Sequence, residues 1–363
     1  MGRDTRSDVT GTPIRYVLEV IARTELAQDL LISAIATGEF RSSDGALRDP
    51  AQRPSSSFGA ASREALPSAA AIVAAGTESG DILFFDANYE LVGTLEIKGG
   101  AIQCIARLRQ QTATNDSDRG QQLVASDSGG IVTFYSGKQV LSRRKLTDSV
   151  VCSIEPVIDR TGQEFCILGE LDGVLSAVRM HDQMWRVQLR RSGATAAMIN
   201  TVASVRLPDA YGLETEYALA ATEGRFVYLL CSGFFLEKTD ATDRRDRRTQ
   251  VAMAGDAGEI FLLDNYQVQY LGRVPYAVTH MFLLDADKSK QGSVDSLLCV
   301  TKSRNVYIVN RGGIVEVFRL EGWPVAADVH ASKGDSGSLE LVLALQSDNG
   351  QQSIHAVRVT ARD

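Results

Sequence analysis

The side chains best suited to bind a metal or move protons near neutral pH are four histidines, His181, His280, His330 and His355. Their spacing supports neither role, because no HxH, HExxH or His-to-CxxC arrangement occurs. His280 stands within an apolar run and reads as a core residue. The five cysteines, Cys104, Cys152, Cys166, Cys231 and Cys299, form no CxxC pair. They are expected as reduced, buried thiols rather than zinc ligands or a disulfide framework. Carboxylate spacing is more suggestive at 285–295, where Asp285, Asp287 and Asp295 resemble the ligands of a calcium loop. That stretch lacks the third acid in place and contains Lys288 and Lys290, so the bland reading is a solvated loop. No GxSxG, P-loop or GxGxxG follows a strand as its chemistry requires. No catalytic residue and no cofactor are therefore expected, and the chain is not expected to be an enzyme.

The elements that must position any site are repeated. Residues 72–86 (IVAAGTESGDILFFD), 123–135 (LVASDSGGIVTFY) and 165–178 (FCILGELDGVLSAV) each place a turn between two apolar strands. The pattern returns at 217–229, 251–264 and 297–309, and more loosely at 341–359. Gly80, Gly130, Gly173, Gly224, Gly258 and Asn305 take equivalent turn positions, where tolerance of positive φ is useful. Apolar runs such as Ile82-Leu83-Phe84-Phe85 imply strands covered on both faces. Units at this spacing fit four-stranded propeller blades. The expected fold is all-β, a seven-bladed propeller of mostly four antiparallel strands, occupying residues 1–363 as one domain.

Both ends of the chain enter that scheme. The last unit lacks an outer strand, and Ile14–Ile21 is a spare one. Pairing them would close the ring and remove two sheet edges. Thr24–Thr37 has helical amphipathicity, but its position favours a strand within Ile32–Gly38. Residues 41–70, rich in Ser, Ala, Arg and Pro, read as a flexible insertion in the first blade. Lys238–Gln250 is a charged loop without a first strand, which makes the fifth blade the degenerate one.

A chain of 363 residues with a net charge of −7 and 44% hydrophobic residues can build a sizeable core. The acidic balance argues against nucleic acid or anionic membrane as a general partner. No apolar run is long enough for a transmembrane helix, and Met1–Arg6 lacks a secretory signal or myristoylation pattern. A cytoplasmic protein is expected, with any association at an organelle surface made through partners. The candidate protein contacts are Phe234, Phe235, Arg244, Arg245, Arg247, Arg248 and Trp323. Packing of the phenylalanines into the fourth blade, and solvation of the arginines, are the structural alternatives.

Val157–Gly169 followed by Asp172-Gly173 resembles an FG-GAP repeat. The layout from Tyr16–Val20 to Ile35–Phe40 is similar to intracellular integrin-alpha FG-GAP repeat-containing proteins, and also resembles the propellers of Bardet–Biedl (BBSome) subunits. The resemblance implies a non-enzymatic subunit of a heteromeric complex. One family includes a component of a lysosome-associated, nutrient-signalling scaffold, and the other coats vesicles and carries ciliary cargo. Two alternatives are weighed. A quinoprotein-like enzyme is suggested by Trp185 after a strand, although only Trp185 and Trp323 exist. A WD40-like adaptor would share the fold and binding role but should show Gly-His and Trp-Asp dipeptides, which do not occur.

Overall fold

The computed structural model describes residues 15–40, 71–97, 99–108, 121–136, 139–159, 161–189, 198–208, 214–222, 229–233, 250–264, 267–284, 295–310, 313–332 and 338–362. They form an all-β propeller of six four-stranded antiparallel blades, with a further two-stranded sheet between the third and fourth. The first described strand, β1 (Arg15–Glu25), is spent on the last blade. The first blade is β2 (Ile32–Phe40), β3 (Ala71–Thr77), β4 (Ile82–Phe85) and β5 (Leu91–Leu95). The second is β6 (Ile102–Arg107), β7 (Gln122–Asp127), β8 (Ile131–Ser136) and β9 (Gln139–Lys145). The third is β10 (Val151–Ile158), β11 (Glu164–Glu170), β12 (Val174–Val178) and β13 (Gln183–Gln188). The two-stranded sheet pairs β14 (Ile199–Pro208) with β15 (Glu214–Thr222).

The fourth blade is β16 (Leu229–Gly233), β17 (Gln250–Ala254), β18 (Glu259–Asp264) and β19 (Gln267–Arg273). The fifth is β20 (Val278–Leu284), β21 (Ser296–Thr301), β22 (Asn305–Asn310) and β23 (Gly313–Arg319). The sixth is β24 (Trp323–Ala331), β25 (Ser338–Gln346) and β26 (Gln352–Arg362), with β1 on its outer edge. Arg15 to Glu25 pairs antiparallel with Arg362 back to Ser353, with one bulge between Val20 and Ala22. The stretch with helical amphipathicity holds no helix: it runs from the end of β1 through a turn at Gln28-Asp29 into β2.

Burial explains the uninterrupted apolar runs. Every residue of β4 and of β12 is buried, because each blade's middle strands are covered on both faces. Val124, Phe134, Cys166 and Leu168 share one core cluster between the second and third blades. Val73, Phe85, Val342 and Ile354 share another between the first and sixth. Leu298, Ile308, Leu341 and Val357 join the fifth to the sixth.

The truncated unit differs from expectation. The polar stretch Lys238–Gln250 leaves the fifth unit without a first strand on the sequence pattern. Leu229–Gly233 instead pairs with Gln250–Ala254 as the innermost strand of its blade. Leu230 there packs with Val205, Val251 and Leu263. Pairing with β17 and packing against the neighbouring sheet make this apolar segment an inner strand. Gly224, the insertion at 41–70 and residues 238–249 lie outside the described residues; Gln250 begins β17.

The turn glycines Gly80, Gly130, Gly173 and Gly258 do take positive φ, at 94°, 74°, 83° and 81°. Gly130 shows why: a Cβ there would meet the carbonyls of Thr147 and Ser149 in the connector that follows β9. That connector donates back, from Leu146 N to Gly130 O, and Leu189 N, Val274 N and Leu320 N do the same to Gly173, Gly258 and Arg304. Arg304, not Asn305, is thus the counterpart of these glycines. Asn305 starts β22, and the only described non-glycine at positive φ is Tyr89.

Candidate functional site

The connectors and hairpin turns put Arg304, Trp323 and Asp348 side by side. Arg304 stands in the β21–β22 turn, Trp323 begins β24, and Asp348 lies in the β25–β26 turn. Trp323 is 46% exposed, yet it is not loose. The Arg304 guanidinium sits 4.8 Å from the ring centroid, and the indole Nε1–H donates to Asp348 Oδ1 at 3.2 Å. Arg304 is also ion-paired with Asp348. Cation–π contact and a shared carboxylate hold the indole in one orientation at the surface. Beside it, Arg23 bridges Glu321 at 2.7 Å and Glu25 at 3.3 Å. A large aromatic surface presented rigidly among charges suits binding of another protein.

A second polar group is buried where the first blade meets the sixth. The Glu340 carboxylate on β25 accepts hydrogen bonds from Tyr89 Oη at 2.6 Å and Ser332 Oγ at 2.7 Å. Arg358 Nη2 and His330 Nε2 each stand 3.3 Å away. Burial pushes the Glu340 carboxyl up, but these donors and charges outweigh it and hold the group below the ordinary carboxylate range. Burial raises the Tyr89 phenol, and its bond to Glu340 raises it further. Nearer the inner strands, Asp328 accepts from Thr37 N at 2.7 Å and Thr37 Oγ1 at 3.0 Å. Burial leaves Asp328 raised despite those bonds.

The histidines stay apart. His181 is exposed in a turn, where its carbonyl accepts from Arg144. His280 on β20 has Nδ1 3.2 Å from Thr279 Oγ1 and stacks on Phe282, and burial pushes its pKa down to about 4. His355 is buried on β26 with Nε2 3.0 Å from Ser353 Oγ, and burial followed by Arg23 lowers it. All five cysteines are free, Cys166 and Cys299 buried and the others half-buried. Burial raises Cys104 to about 12 and Cys152 to about 11, so neither is an activated thiolate.

Among the described residues, no group of three or more metal-ligating side chains comes together. Asp285 and Asp287 lie outside those residues, while Asp295 is buried just before β21. Phe234, Phe235, Arg244, Arg245, Arg247 and Arg248 also lie outside them. Trp185 is half-buried on β13 and packs on the cluster of Ile167, Leu175 and Val202. Among the described residues, no helix is long and apolar enough to cross a membrane.

Sequence reasoning named Trp323 but missed its partners and the whole Glu340 group. Arg304 carried a usable signal, since it stands where other repeats have glycine. Tyr89 and Glu340 are 251 residues apart, and no local spacing links them.

No protein-family model and no curated protein matches this chain. Among solved structures, it is similar to crystal structures of BBS1N in complex with ARL6DN, one soaked with lead and one with mercury, at 13% and 12% identity. Each match covers 78% of this chain and 74% of the other, with a TM-score of 0.41. A likeness this weak transfers none of the binding properties of BBS1N.

Proposed function

We propose that this chain is a non-enzymatic protein-interaction scaffold, a subunit of a multiprotein complex of the nutrient-signalling or ciliary and vesicle-trafficking type. The observation that carries the reading is Trp323, exposed at a blade junction but fixed by Arg304 and Asp348. An indole held in place surrenders little conformational freedom on binding, which is what a contact hot spot needs. The two-stranded sheet counts in this reading as a seventh blade, and the β1–β26 pairing closes the ring. The scaffold works in the cytoplasm and reaches any organelle surface through its partners.

The test is purification of the tagged protein from its native cells under mild conditions, with quantitative mass spectrometry. Wild-type protein is expected to bring down a stoichiometric set of subunits, and Trp323→Ala to lose at least one of them. Recovery of the wild type as a lone monomer that turns over a small molecule overturns the proposal.

A further inference from the structure

The β25–β26 turn follows the pattern of the other blade hairpins but differs at one position. Ser347 N donates to Gln351 O at 2.9 Å and Gly350 N to Ser347 O at 3.0 Å, a tight turn ending on a glycine at a φ of 86°. Immediately before the matching turn residue, the other blades place Ser79, Gly129, Asp172, Ala257 and Ser303. The turn therefore does not require asparagine. The sixth blade nevertheless has Asn349 there, and of the seven asparagines in the chain it alone is followed by glycine.

Asparagine is thermolabile because its side-chain amide can be lost without an enzyme. The backbone nitrogen of the next residue attacks the amide carbon, and any side chain on that residue obstructs the approach. Glycine offers no such obstruction. The space around Gly350 is open, since an added Cβ would meet nothing within 4 Å. Asn349 is exposed, and its side-chain carbonyl is already turned toward the following backbone, accepting from Gln351 N at 3.1 Å. The attacking nitrogen must first let go of Ser347 O. An exposed hairpin turn opens locally at far less cost than global unfolding, so that restraint slows the attack without preventing it.

What the turn holds gives the reaction a consequence. Asp348, the residue before Asn349, accepts the Trp323 indole N–H at 3.2 Å and is ion-paired with Arg304. Arg304 in turn lies over the indole ring. A change of charge or length at residue 349 therefore acts directly on the carboxylate that orients Trp323.

We propose that Asn349-Gly350 is a self-modifying site, whose deamidation releases the brace on Trp323. The Gly350 nitrogen gives up its proton and forms a bond to Asn349 Cγ. The Cγ–Nδ2 bond breaks, and the amide leaves as ammonia, carrying that proton. Water then opens the five-membered imide at one of its two carbonyls. One opening yields aspartate, and the other an isoaspartyl linkage in which the main chain runs through Cβ and Cγ. Water is the only co-reactant, and nothing is oxidised or reduced. Either product sets a second carboxylate beside Asp348, where it competes for Arg304. The isoaspartyl product also lengthens the turn by one backbone carbon and draws Asp348 from the indole. Chemistry and readout both lie within this chain, independent of the scaffold reading above.

The test ages the full folded chain in mildly alkaline buffer at body temperature, beside the same chain unfolded in guanidinium. Ageing continues until the unfolded chain has converted at residue 349. Peptide mapping with isoaspartyl methyltransferase labelling reads the conversion at each asparagine. The indole N–H resonance of Trp323, identified by its absence in Trp323→Phe, reads the brace. In the folded chain, conversion should concentrate at residue 349, more slowly than in the unfolded one. The original Trp323 resonance should be lost in proportion, replaced by a second one. Asn349→Gln changes an exposed position, so the fold persists, and its longer side chain cannot close the five-membered ring. Its Trp323 resonance should not change on ageing. Three results each overturn the proposal: a folded chain unconverted at 349, equal conversion at another of its asparagines, or a Trp323 resonance that does not follow the conversion. Ageing of the Asn349→Gln resonance in step with wild type overturns it as well.

Discussion

The phenol of Tyr89 donates to the carboxylate of Glu340 at 2.6 Å, joining the β4–β5 turn of the first blade to β25 of the sixth. The same tyrosine has a φ of 62°, a conformation disfavoured for a bulky residue. Its carbonyl accepts from Thr24 Oγ1 on β1 at 2.6 Å. One residue thus touches both β25 and β1, the second-last and the first of the described strands. Local strain of this kind persists only where surrounding contacts over-determine it.

Tyr89→Phe should therefore cost about 1–3 kcal/mol in urea unfolding, because it leaves Glu340 short of its closest donor. Arg358→Ala, removing a longer and more exposed contact, should cost less. A Tyr89→Phe midpoint equal to wild type contradicts a stabilising role for the bond.

Glu340 also predicts an acid limb. Its folded pKa lies below its unfolded value, so its stabilisation is complete above the unfolded carboxylate range and is lost as pH falls through the folded pKa. Asp328 has the opposite sign: with a raised folded pKa, its contribution is greatest below the unfolded pKa and is lost as pH rises through the folded one. Glu340→Gln should be less stable than wild type at pH 7 and close the gap as pH falls below about 4. Asp328→Asn should keep an acceptor for Thr37 and gain on wild type as pH rises from about 4 toward 7. Chemical denaturation of the three proteins at successive pH values checks both signs.

Deleting residues 1–22 removes most of β1 and leaves the β26 edge unpaired. Tyr16, which is buried and donates to Ser296 Oγ at 3.0 Å, leaves with it, as do the packed Leu18 and Ile21. Losing those side chains should cost on the order of 5 kcal/mol and lower the melting temperature of the whole protein. Cooperative melting at an unchanged temperature would rule out a closing role for this strand.

Much of the architecture was legible because blade strands and turns are local patterns. Ile82-Leu83-Phe84-Phe85 announced a strand covered on both sides, and glycine at 80, 130, 173 and 258 marked turns whose φ is positive. The spare strand at 14–21 was visible for the same reason. What failed was the fifth unit's missing first strand: Leu229–Gly233 supplies it by pairing with Gln250–Ala254, across a separation that no window of sequence contains. The site was less legible still. Trp323 was recognised as a surface aromatic, whereas its brace comes from two other hairpins, at Arg304 and Asp348. Glu340 looked like an ordinary strand residue, because its closest donor, Tyr89, is 251 residues away and the facing His330 and Arg358 follow only once the strand register is known.

His280 gives the last prediction. It sits on the inner strand β20, stacked on Phe282 with ring centroids 6.3 Å apart, and burial lowers its pKa to about 4. A base whose folded pKa lies below its unfolded value of 6.5 is held neutral, so its contribution is complete above pH 6.5. That contribution is lost as pH falls from 6.5 toward 4, because the unfolded chain takes up the proton first. The shift corresponds to a loss on the order of 1–3 kcal/mol across that window. His280→Gln cannot titrate, so its unfolding free energy should lose less than wild type does between pH 6.5 and 4, above the range where Glu340 acts. Proton-detected NMR of the imidazole supplies an independent reading: the resonances of His280 should stay at their neutral positions down to about pH 5. Titration of that ring near pH 6.5 in the folded protein would show that its half-buried, stacked site on β20 does not penalise the charged form.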